Sequence, residues 1–225
     1  MTPNVQRATA RTRSSQPETD NDAPPAEPPG DTPRSVGRRW TWAATALIVV
    51  AGIAAYSNSL RGPFIFDDPL SIAKNPTIRS LGRLGDVLLP SPQLHLYRPT
   101  LNLSLAVCYA VGGLDVVAYH VLNLAIHILA ALVLFGVTRR TLLLPDLAAR
   151  FGAASTGLGL AVSLLWMLHP LQTESVTYVV QRCEALMGLF CLTTVYCVLR
   201  GASSRRAWLW HLAAAAACGL GMGAK

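Results

Sequence analysis

Two adjacent carboxylates, Asp67 and Asp68, lie in the stretch GPFIFDDPL, a few residues after an apolar run that ends near Tyr56. The Asp-Pro step that follows is typical of a loop, and an ordinary loop is one interpretation of the pair. The other interpretation is chemical, because neighbouring carboxylates raise one another's pKa values and then suit a general base or a cation site. The local sequence leaves both open, together with a divalent cation at Asp67 and Asp68.

A second polar cluster lies in the segment HPLQTESVTYVVQR, residues 169–182, whose proline fits the first position of a helix. On that helix three polar side chains would recur at i, i+4 and i+7 and form one stripe, namely Glu174, Tyr178 and Gln181. His169 precedes the stripe and Arg182 follows it. A solvated helix face is one interpretation of this pattern. A pocket shared with the aspartate loop is the other.

Two further sets of polar residues border or interrupt apolar stretches. Arg98 precedes a proline, and it either anchors the chain to lipid headgroups or captures a lipid-linked phosphate with its guanidinium fork. His120, Asn123 and His127 recur at i, i+3 and i+7. Seven residues of helix rise about 10.5 Å, whereas metal-binding histidine pairs usually lie one turn apart. Hydrogen bonding between helices is therefore the favoured interpretation of these histidines.

The elements that must position these residues are apolar helices. The chain is 52% hydrophobic and only 14% charged, whereas soluble domains carry about 25% charged residues. Five apolar blocks approach the length of about 20 residues that a membrane span requires, at residues 40–56, 116–137, 151–168, 185–199 and 207–222. The predicted fold is an all-α, polytopic membrane helix bundle with about five transmembrane helices and interfacial helices in the first outer loop.

The basic residues indicate an orientation rather than a nucleic-acid partner, although the formal net charge is +7. If the N-terminus is cytoplasmic, the arginine clusters that flank the blocks all fall on the cytoplasmic side: Arg38, Arg39, Arg139, Arg140, Arg150, Arg200, Arg205 and Arg206. The loops at about 57–115 and 169–184 then face the periplasm, the exterior or the ER lumen. We expect an integral, multi-pass membrane protein that contacts membrane lipid and binds no nucleic acid.

The first 39 residues are expected to form a disordered cytoplasmic tail, because residues 1–37 contain seven prolines and almost no large apolar side chains. The first block is longer than a signal-peptide core, so a retained signal anchor is favoured over a cleaved peptide. A sequon, Asn102-Leu103-Ser104, lies close to the bilayer, and we do not expect it to be glycosylated.

Several segments, taken in order, resemble one family. They are YSNSLRGPFIFDDPLSIAKNPTIRSL, the stretch from YRPTLNLSL to AALVLF, LLWMLHPLQTESVTYVVQRCEALMGLF, and CGLGMGAK. Together they are similar to the N-terminal membrane part of the TMTC-type O-mannosyltransferases, a branch of the GT-C glycosyltransferases. The resemblance covers residues 50–225, and it implies an enzyme that transfers a sugar, expected to be mannose, from a polyprenyl-phosphate donor to protein Ser or Thr hydroxyls on the extracytoplasmic side.

The resemblance also implies residue roles. Enzymes of this branch place an acidic residue in the first outer loop as catalytic base, which points to Asp67, with Asp68 as the second candidate. Arg98, Arg182 and Lys225 are then the candidates for binding the donor phosphate. The substrate pocket is expected to include His169, Glu174, Tyr178 and Gln181.

The resemblance implies that residues 40–225 form a GT-C-like domain that is truncated before its remaining helices and TPR repeats, so this chain alone is expected to be inactive. A different class of function remains open: a non-catalytic membrane scaffold or export component that uses the bundle as an anchor. A transporter is disfavoured because the blocks contain no inverted repeat and no Gly- or Pro-broken helix in mid-span.

Overall fold

The computed structural model describes residues 33–89 and 98–225, and within these ranges all regular structure is helical. The predicted all-α fold is confirmed. These described ranges contain nine α-helices: α1 Pro33–Tyr56, α2 Leu84–Leu88, α3 Pro99–Gly112, α4 Val116–Leu142, α5 Pro145–Phe151, α6 Ser155–Met167, α7 Thr173–Thr177, α8 Arg182–Ala202 and α9 Ala207–Met222. Short 3₁₀ or π turns lie at Ser57–Arg61, Pro69–Ala73, Thr77–Arg79 and Pro170–Gln172.

Only residues 33–39 of the predicted tail lie within the described ranges. Residues 1–32 lie outside the described ranges, so the disorder expected there stays a prediction. Among the described residues helix α1 extends from Pro33, so it includes the seven residues before the first apolar block, which starts at Trp40.

Local sequence explains where the other helices begin and end. Pro99 and Pro145 occupy the first turns of α3 and α5. Gly113 ends α3 with a φ of 61°, a left-handed conformation that glycine adopts without steric cost. The side chain of Asp115 then caps α4 by accepting a hydrogen bond from the backbone N–H of Val117 at 3.1 Å.

Helix α4 is the centre of the bundle, since it contacts α1, α3, α6, α7 and α8. Around it, α8 packs along α9, and α1 packs against α6. Small residues permit the close approaches. A Cβ atom on Gly52 of α1 would lie 2.8 Å from a side-chain carbon of Ile128 on α4 and 3.2 Å from the sulfur of Met167 on α6. Any larger residue at position 52 would therefore separate these three helices.

Three helices are long and apolar enough to cross a membrane within the part of the chain that the structure describes: Gly37–Arg61, Val116–Leu142 and Arg182–Ala202. The third predicted span is instead the pair α5 and α6, which meet at 92° and count as a fourth span only if they are taken together. The fifth, α9, has 16 residues, which rise only about 24 Å. For the described ranges the count of five is thus corrected to three or four, by length and composition. These helices make the chain a membrane protein.

Candidate active site between two loops

Asp68 joins the two polar loops and is itself completely buried. One carboxylate oxygen accepts a hydrogen bond from the backbone N–H of Val180 at 2.9 Å, and the other accepts one from the N–H of Ile65 at 3.1 Å. Burial raises the pKa of the Asp68 carboxyl, and the hydrogen bonds from Ile65 and Val180 act in the opposite direction. The second aspartate of the pair therefore ties the loops together and offers no open face to a substrate.

Asp67 has the opposite environment, because its side chain is exposed. Its backbone N–H donates a hydrogen bond to the Tyr178 hydroxyl at 3.2 Å. The preceding residue, Phe66, has a φ of 47°, and its exposed ring lies edge-on to Tyr178 with 5.7 Å between the ring centroids. Left-handed backbone at a phenylalanine is costly and is retained only where its surroundings hold it. This turn projects the Asp67 carboxylate into solvent beside the second loop.

The second loop is not the continuous helix that the polar stripe predicted. Helix α7 ends at Thr177, and Tyr178 has extended backbone with φ −99° and ψ 117°. Branched side chains at Val176, Thr177, Val179 and Val180 weaken the helix at this point, and the N–H of Val180 is taken by Asp68. Tyr178 consequently turns towards Asp67. Gln181 still reaches Glu174, with its amide nitrogen 3.3 Å from a carboxylate oxygen.

Arg182 is fully buried at the beginning of α8, and all three of its nitrogen groups donate to neighbours. The Nε group donates to the side chain of Asn123, the Nη1 group donates to Ser104, and the Nη2 group donates to the backbone oxygen of Tyr119 at 2.8 Å. The guanidinium thereby connects α3, α4 and α8. In this arrangement Arg182 lies out of reach of a phosphate, although the sequence placed it with Arg98 and Lys225 as a phosphate ligand.

The polar residues inside α4 also bond to neighbouring elements, as the sequence indicated. His120 contacts the backbone oxygen of Gly62 at 3.0 Å, and His127 contacts that of Met167 at 3.0 Å. Asn123 donates to the backbone oxygens of Val176 and Tyr178 at 3.1 and 3.3 Å. Helix α4 therefore fixes the entry to the first loop and both sides of α7.

Arg98 and Lys225 each contact the first turn of α8, although they lie at opposite ends of the segment from α3 to α9. The Arg98 guanidinium is 3.7 Å from the Cys183 sulfur, and the Lys225 ammonium is 3.0 Å from a carboxylate oxygen of Glu184. The backbone N–H and the hydroxyl of Thr100 donate to the carbonyl oxygens of Gly223 and Leu220, each at 2.9 Å. The last turn of α9 is thus bound to the first turn of α3.

A polar cleft of about 400 Å³ opens between α4, α6, α7 and α8. Trp166 lines it, and its ring lies 5.0 Å from that of His127. The polar side chains that line the cleft are His127, Gln172, Glu174, Ser175, Gln181 and Glu184. Carboxylates, amides and an indole ring are suited to hydrogen-bonding and stacking on a polar ligand such as a sugar.

The predicted pocket residues divide between these places. Glu174 and Gln181 line the cleft, whereas Tyr178 lies at the Asp67 turn. His169 is exposed, and its Nδ1 accepts the backbone N–H of Leu171 at 3.2 Å, so it caps the turn before α7. Sequence reasoning missed Glu184 and Trp166. Glu184 carried a signal, since it lies three residues after Gln181 in the first turn of the next helix.

Two other predictions concern binding and modification. Among the described residues, no three His, Cys, Asp or Glu side chains come together as a metal-binding group, and a cation at Asp67 and Asp68 stays a prediction. In the sequon, the side-chain amide of Asn102 donates to Thr77 and to the backbone oxygen of Val87, at 2.9 and 2.7 Å. Both contacts occupy the nitrogen that a glycan would need.

Comparison with known proteins identifies sequence relatives. The chain is 28% identical over 196 residues to Protein O-mannosyl-transferase TMTC2 of Mus musculus, an alignment of 76% of this chain and 21% of the relative. It is 30% identical over 193 residues to tmtc2 of Xenopus laevis, covering 79% and 22%. It is also 28% identical over 177 residues to Protein O-mannosyl-transferase F38B6.6 of Caenorhabditis elegans, covering 74% and 24%.

The chain spans about a fifth of the length of these curated relatives. No family model matches it, and no solved structure matches it significantly. The resemblance predicted from its motifs is confirmed by relatives that carry the names TMTC1, TMTC2 and TMTC3. The chain is therefore a sequence relative of the TMTC-type protein O-mannosyl-transferases over about three quarters of its length.

Proposed function

We propose that this chain forms part of a membrane glycosyltransferase that moves mannose from a polyprenyl-phosphate donor to Ser or Thr hydroxyls of proteins. The observation that carries the proposal is the exposed carboxylate of Asp67, held against the second loop by buried Asp68 and by Tyr178. Relatives named protein O-mannosyl-transferases support the choice of reaction and sugar.

In the proposed reaction Asp67 is the general base. Its carboxylate takes the proton of the acceptor hydroxyl while the hydroxyl oxygen forms a bond to the anomeric carbon of the sugar. The bond between that carbon and the phosphate oxygen breaks in the same step, and its electron pair leaves with the polyprenyl phosphate. The configuration at the anomeric carbon inverts. An exposed carboxylate suits this role because it must reach a substrate that diffuses in from the solvent side.

The leaving phosphate requires cations that stabilise its charge as the bond breaks. Arg98 and Lys225 supply them, since both lie at the first turn of α8, around Cys183 and Glu184. The Arg98 guanidinium is half-buried, and its partner among the described residues is a thiol, which leaves its fork available to phosphate. Arg182 does not bind the phosphate in this proposal. It positions the cations, because its hydrogen bonds connect α8 to α3 and α4.

The sugar and the acceptor occupy the polar side of the same region. The cleft lined by Glu174, Gln181 and Glu184 offers acceptors and donors for sugar hydroxyls, and Trp166 offers an apolar face. Glu184 borders the cleft and also pairs with Lys225, so it connects the sugar position to the phosphate position. His169 borders the loop from the solvent side.

The arrangement in the membrane follows from the charges. The loops that carry Asp67 and Glu174 lie at the ends of α1 and α6 and at the beginning of α4 and α8, which places them on one membrane surface. The arginine pairs Arg139–Arg140 and Arg205–Arg206 lie at the other ends of α4 and α8. By the positive-inside rule the arginines are cytoplasmic and the site faces the periplasm or the ER lumen, in a multi-pass protein.

The test is transfer of labelled mannose by membranes that contain the full-length protein, with either polyprenyl-phosphate mannose or GDP-mannose as donor. We expect label in Ser or Thr residues of acceptor proteins from the lipid donor alone, when endogenous lipid-mannose synthesis is blocked. Equal transfer from GDP-mannose under that block would contradict the donor class. Absence of transfer across several lipid-linked sugars and acceptor extracts would favour the non-catalytic scaffold.

A further inference from the structure

Two arginines at the end of the bundle away from the candidate active site lie over aromatic rings. The guanidinium carbon of Arg140, in the last turn of α4, is 5.3 Å from the centre of the Tyr196 ring on α8. The guanidinium carbon of Arg200, in the last turn of α8, is 5.2 Å from the centre of the Trp210 ring on α9. The two rings contact each other edge-on, with 6.4 Å between their centroids. These four side chains form one continuous row across three helices, which we call the arginine–aromatic row.

Two glycines hold the rings of the row in place. A Cβ atom on Gly136 of α4 would lie 2.9 Å from the Tyr196 ring, and a Cβ atom on Gly201 of α8 would lie 3.3 Å from the Cβ atom of Trp210. Each aromatic residue therefore packs directly against the backbone of the neighbouring helix. A ring that is fixed by packing gives the arginine above it a defined position, which lowers the entropic cost of binding a ligand there.

The guanidinium groups of Arg140 and Arg200 have no hydrogen-bond acceptor among the residues that the structure describes, although both side chains are half-buried. They also form no ion pair with a described residue, and Asp146, which follows α4 at this end of the bundle, is exposed and pairs with neither. A cation–π contact uses the flat face of a guanidinium and leaves the N–H groups at its edge available. An anion at those edges would accept the hydrogen bonds and neutralise the charge.

The neighbouring arginines have different environments. Arg139 donates from its Nε group to the Thr156 hydroxyl at 3.2 Å. Arg150, Arg205 and Arg206 are exposed. Within the described ranges, Arg140 and Arg200 are thus the pair that combines partial burial, a supporting ring on another helix and available N–H groups.

The row lies at the level of the lipid headgroups. Helix α4 has 27 residues and rises about 40 Å, whereas the hydrocarbon core of a bilayer is about 30 Å thick. Helix α8 has 21 residues and rises about 32 Å. Both helices begin at the candidate active site, so their last turns, with Arg140 and Arg200, reach the opposite membrane surface. Tyrosine and tryptophan are common at this level, where phospholipid phosphates are the most abundant anions.

We propose that Arg140 and Arg200 bind the phosphate of an anionic phospholipid at the surface opposite the candidate active site. Each guanidinium donates through its edge to phosphate oxygens while its face stays on the ring beneath it. An anionic lipid is favoured over a zwitterionic one because the row has two positive charges without a carboxylate partner among the described residues. The site is independent of the proposed reaction, since none of its four side chains belongs to the candidate active site.

The first test measures lipid binding to the purified full-length protein by native mass spectrometry, with phosphatidylglycerol as the anionic lipid and phosphatidylcholine as the neutral one. We expect phosphatidylglycerol to bind about tenfold more tightly, and the double variant Arg140→Gln/Arg200→Gln to lose this preference. Arg205→Gln/Arg206→Gln is the matched control, because it removes the same charge from exposed positions at the same end, where salt screens it. Equal losses in the two double variants, or equal binding of the two lipids by the wild type, would overturn the proposal.

A second pair of variants tests the rings and keeps every arginine. Trp210→Leu removes the ring beneath Arg200, and we expect it to weaken phosphatidylglycerol binding by about threefold, the usual size of one cation–π contact. Trp208→Leu is the control, since Trp208 lies on the same helix, is 66% exposed and has no arginine stacked on it among the described residues. If Trp210→Leu, monodisperse in detergent, binds the lipid like the wild type or like Trp208→Leu, the proposed site is wrong.

Two competitors distinguish a lipid from other anions. Inorganic phosphate at millimolar concentration should leave phosphatidylglycerol bound, and displacement by it would make a soluble anion the ligand. The second competitor is the N-terminal segment, which contains five carboxylates: Glu18, Asp20, Asp22, Glu27 and Asp31. We expect deletion of residues 1–32 to leave the affinity for phosphatidylglycerol unchanged. If the lipid binds only to the deletion variant, these carboxylates occupy the arginines and the lipid assignment fails.

Discussion

The carboxylate of Asp68 accepts a 2.9 Å hydrogen bond from the backbone N–H of Val180, which lies 112 residues further along the chain. This bond joins the two loops that carry the candidate site. It also determines which of the two aspartates is free, because Asp68 is buried by it and Asp67 is left exposed beside Tyr178. Two identical neighbours thus have different roles, one in positioning and one in the proposed chemistry.

Replacing Asp68 with Asn tests the positioning role. The amide has one oxygen in place of two, so one of the N–H groups of Ile65 and Val180 loses its acceptor. A buried donor without a partner costs about 1–3 kcal/mol, and we expect the free energy of unfolding to fall by that amount at neutral pH. Thermal unfolding in detergent measures it. Asp86→Asn, at an exposed position in α2, is the control and should unfold like the wild type.

The pH dependence of the same pair of proteins has a defined sign. Burial raises the pKa of Asp68 in the folded protein above its unfolded value of about 3.9. The folded state then binds more protons than the unfolded state between these two values, so stability increases as the pH falls through the raised pKa. Asn does not titrate. We therefore expect the melting temperature of the wild type, relative to that of Asp68→Asn, to rise as the pH is lowered from neutral to about pH 4. A difference that narrows over this range would contradict the burial of Asp68.

Arg182→Met should prevent the bundle from accumulating in folded form. The change removes the donors that bond to Asn123, Ser104 and Tyr119. Each acceptor that is left without a hydrogen bond destabilises the folded state by about 1–3 kcal/mol. Size-exclusion chromatography in detergent should show a loss of monodisperse protein. Arg205→Met, at an exposed position, should give a normal yield. If Arg182→Met folds normally and only weakens donor binding, Arg182 is a phosphate ligand after all.

Gly223→Ala tests the contact between α9 and α3. An added Cβ would lie 2.8 Å from the Thr100 hydroxyl and 3.2 Å from Pro99, so the last turn of α9 must move away from α3 and displace Lys225 from Glu184. We expect the KM for the lipid donor to rise by about tenfold, because small displacements of binding groups are costly. Gly219→Ala is the matched control, since its added Cβ would meet nothing within 4 Å. Equal KM values for the two variants would contradict a shared phosphate site.

The amino-acid sequence predicts the helices better than it predicts the partners of individual side chains. Apolar blocks and arginine clusters indicate the helices, and the Asp67–Asp68 pair and Arg98 are visible as candidates. The sequence does not show which aspartate is buried and which is exposed, because this depends on the hydrogen bond from the backbone N–H of Val180 to Asp68. In the sequence Arg182 resembles an exposed loop cation. In the structure it is hydrogen-bonded to Asn123, Ser104 and Tyr119. Local periodicity likewise could not anticipate that Tyr178 leaves the helix for Asp67.

Asp67→Asn tests whether Asp67 is the general base. Asn keeps the backbone N–H that bonds to Tyr178, and the side chain is exposed, so the fold and donor binding should not change. Mannose transfer from polyprenyl-phosphate mannose is measured in membranes at matched amounts of folded full-length protein, with Asp86→Asn as the control. We expect kcat to fall by about 10²–10⁴-fold for Asp67→Asn alone, the usual contribution of a general base. Transfer within twofold of the wild type by Asp67→Asn would contradict it.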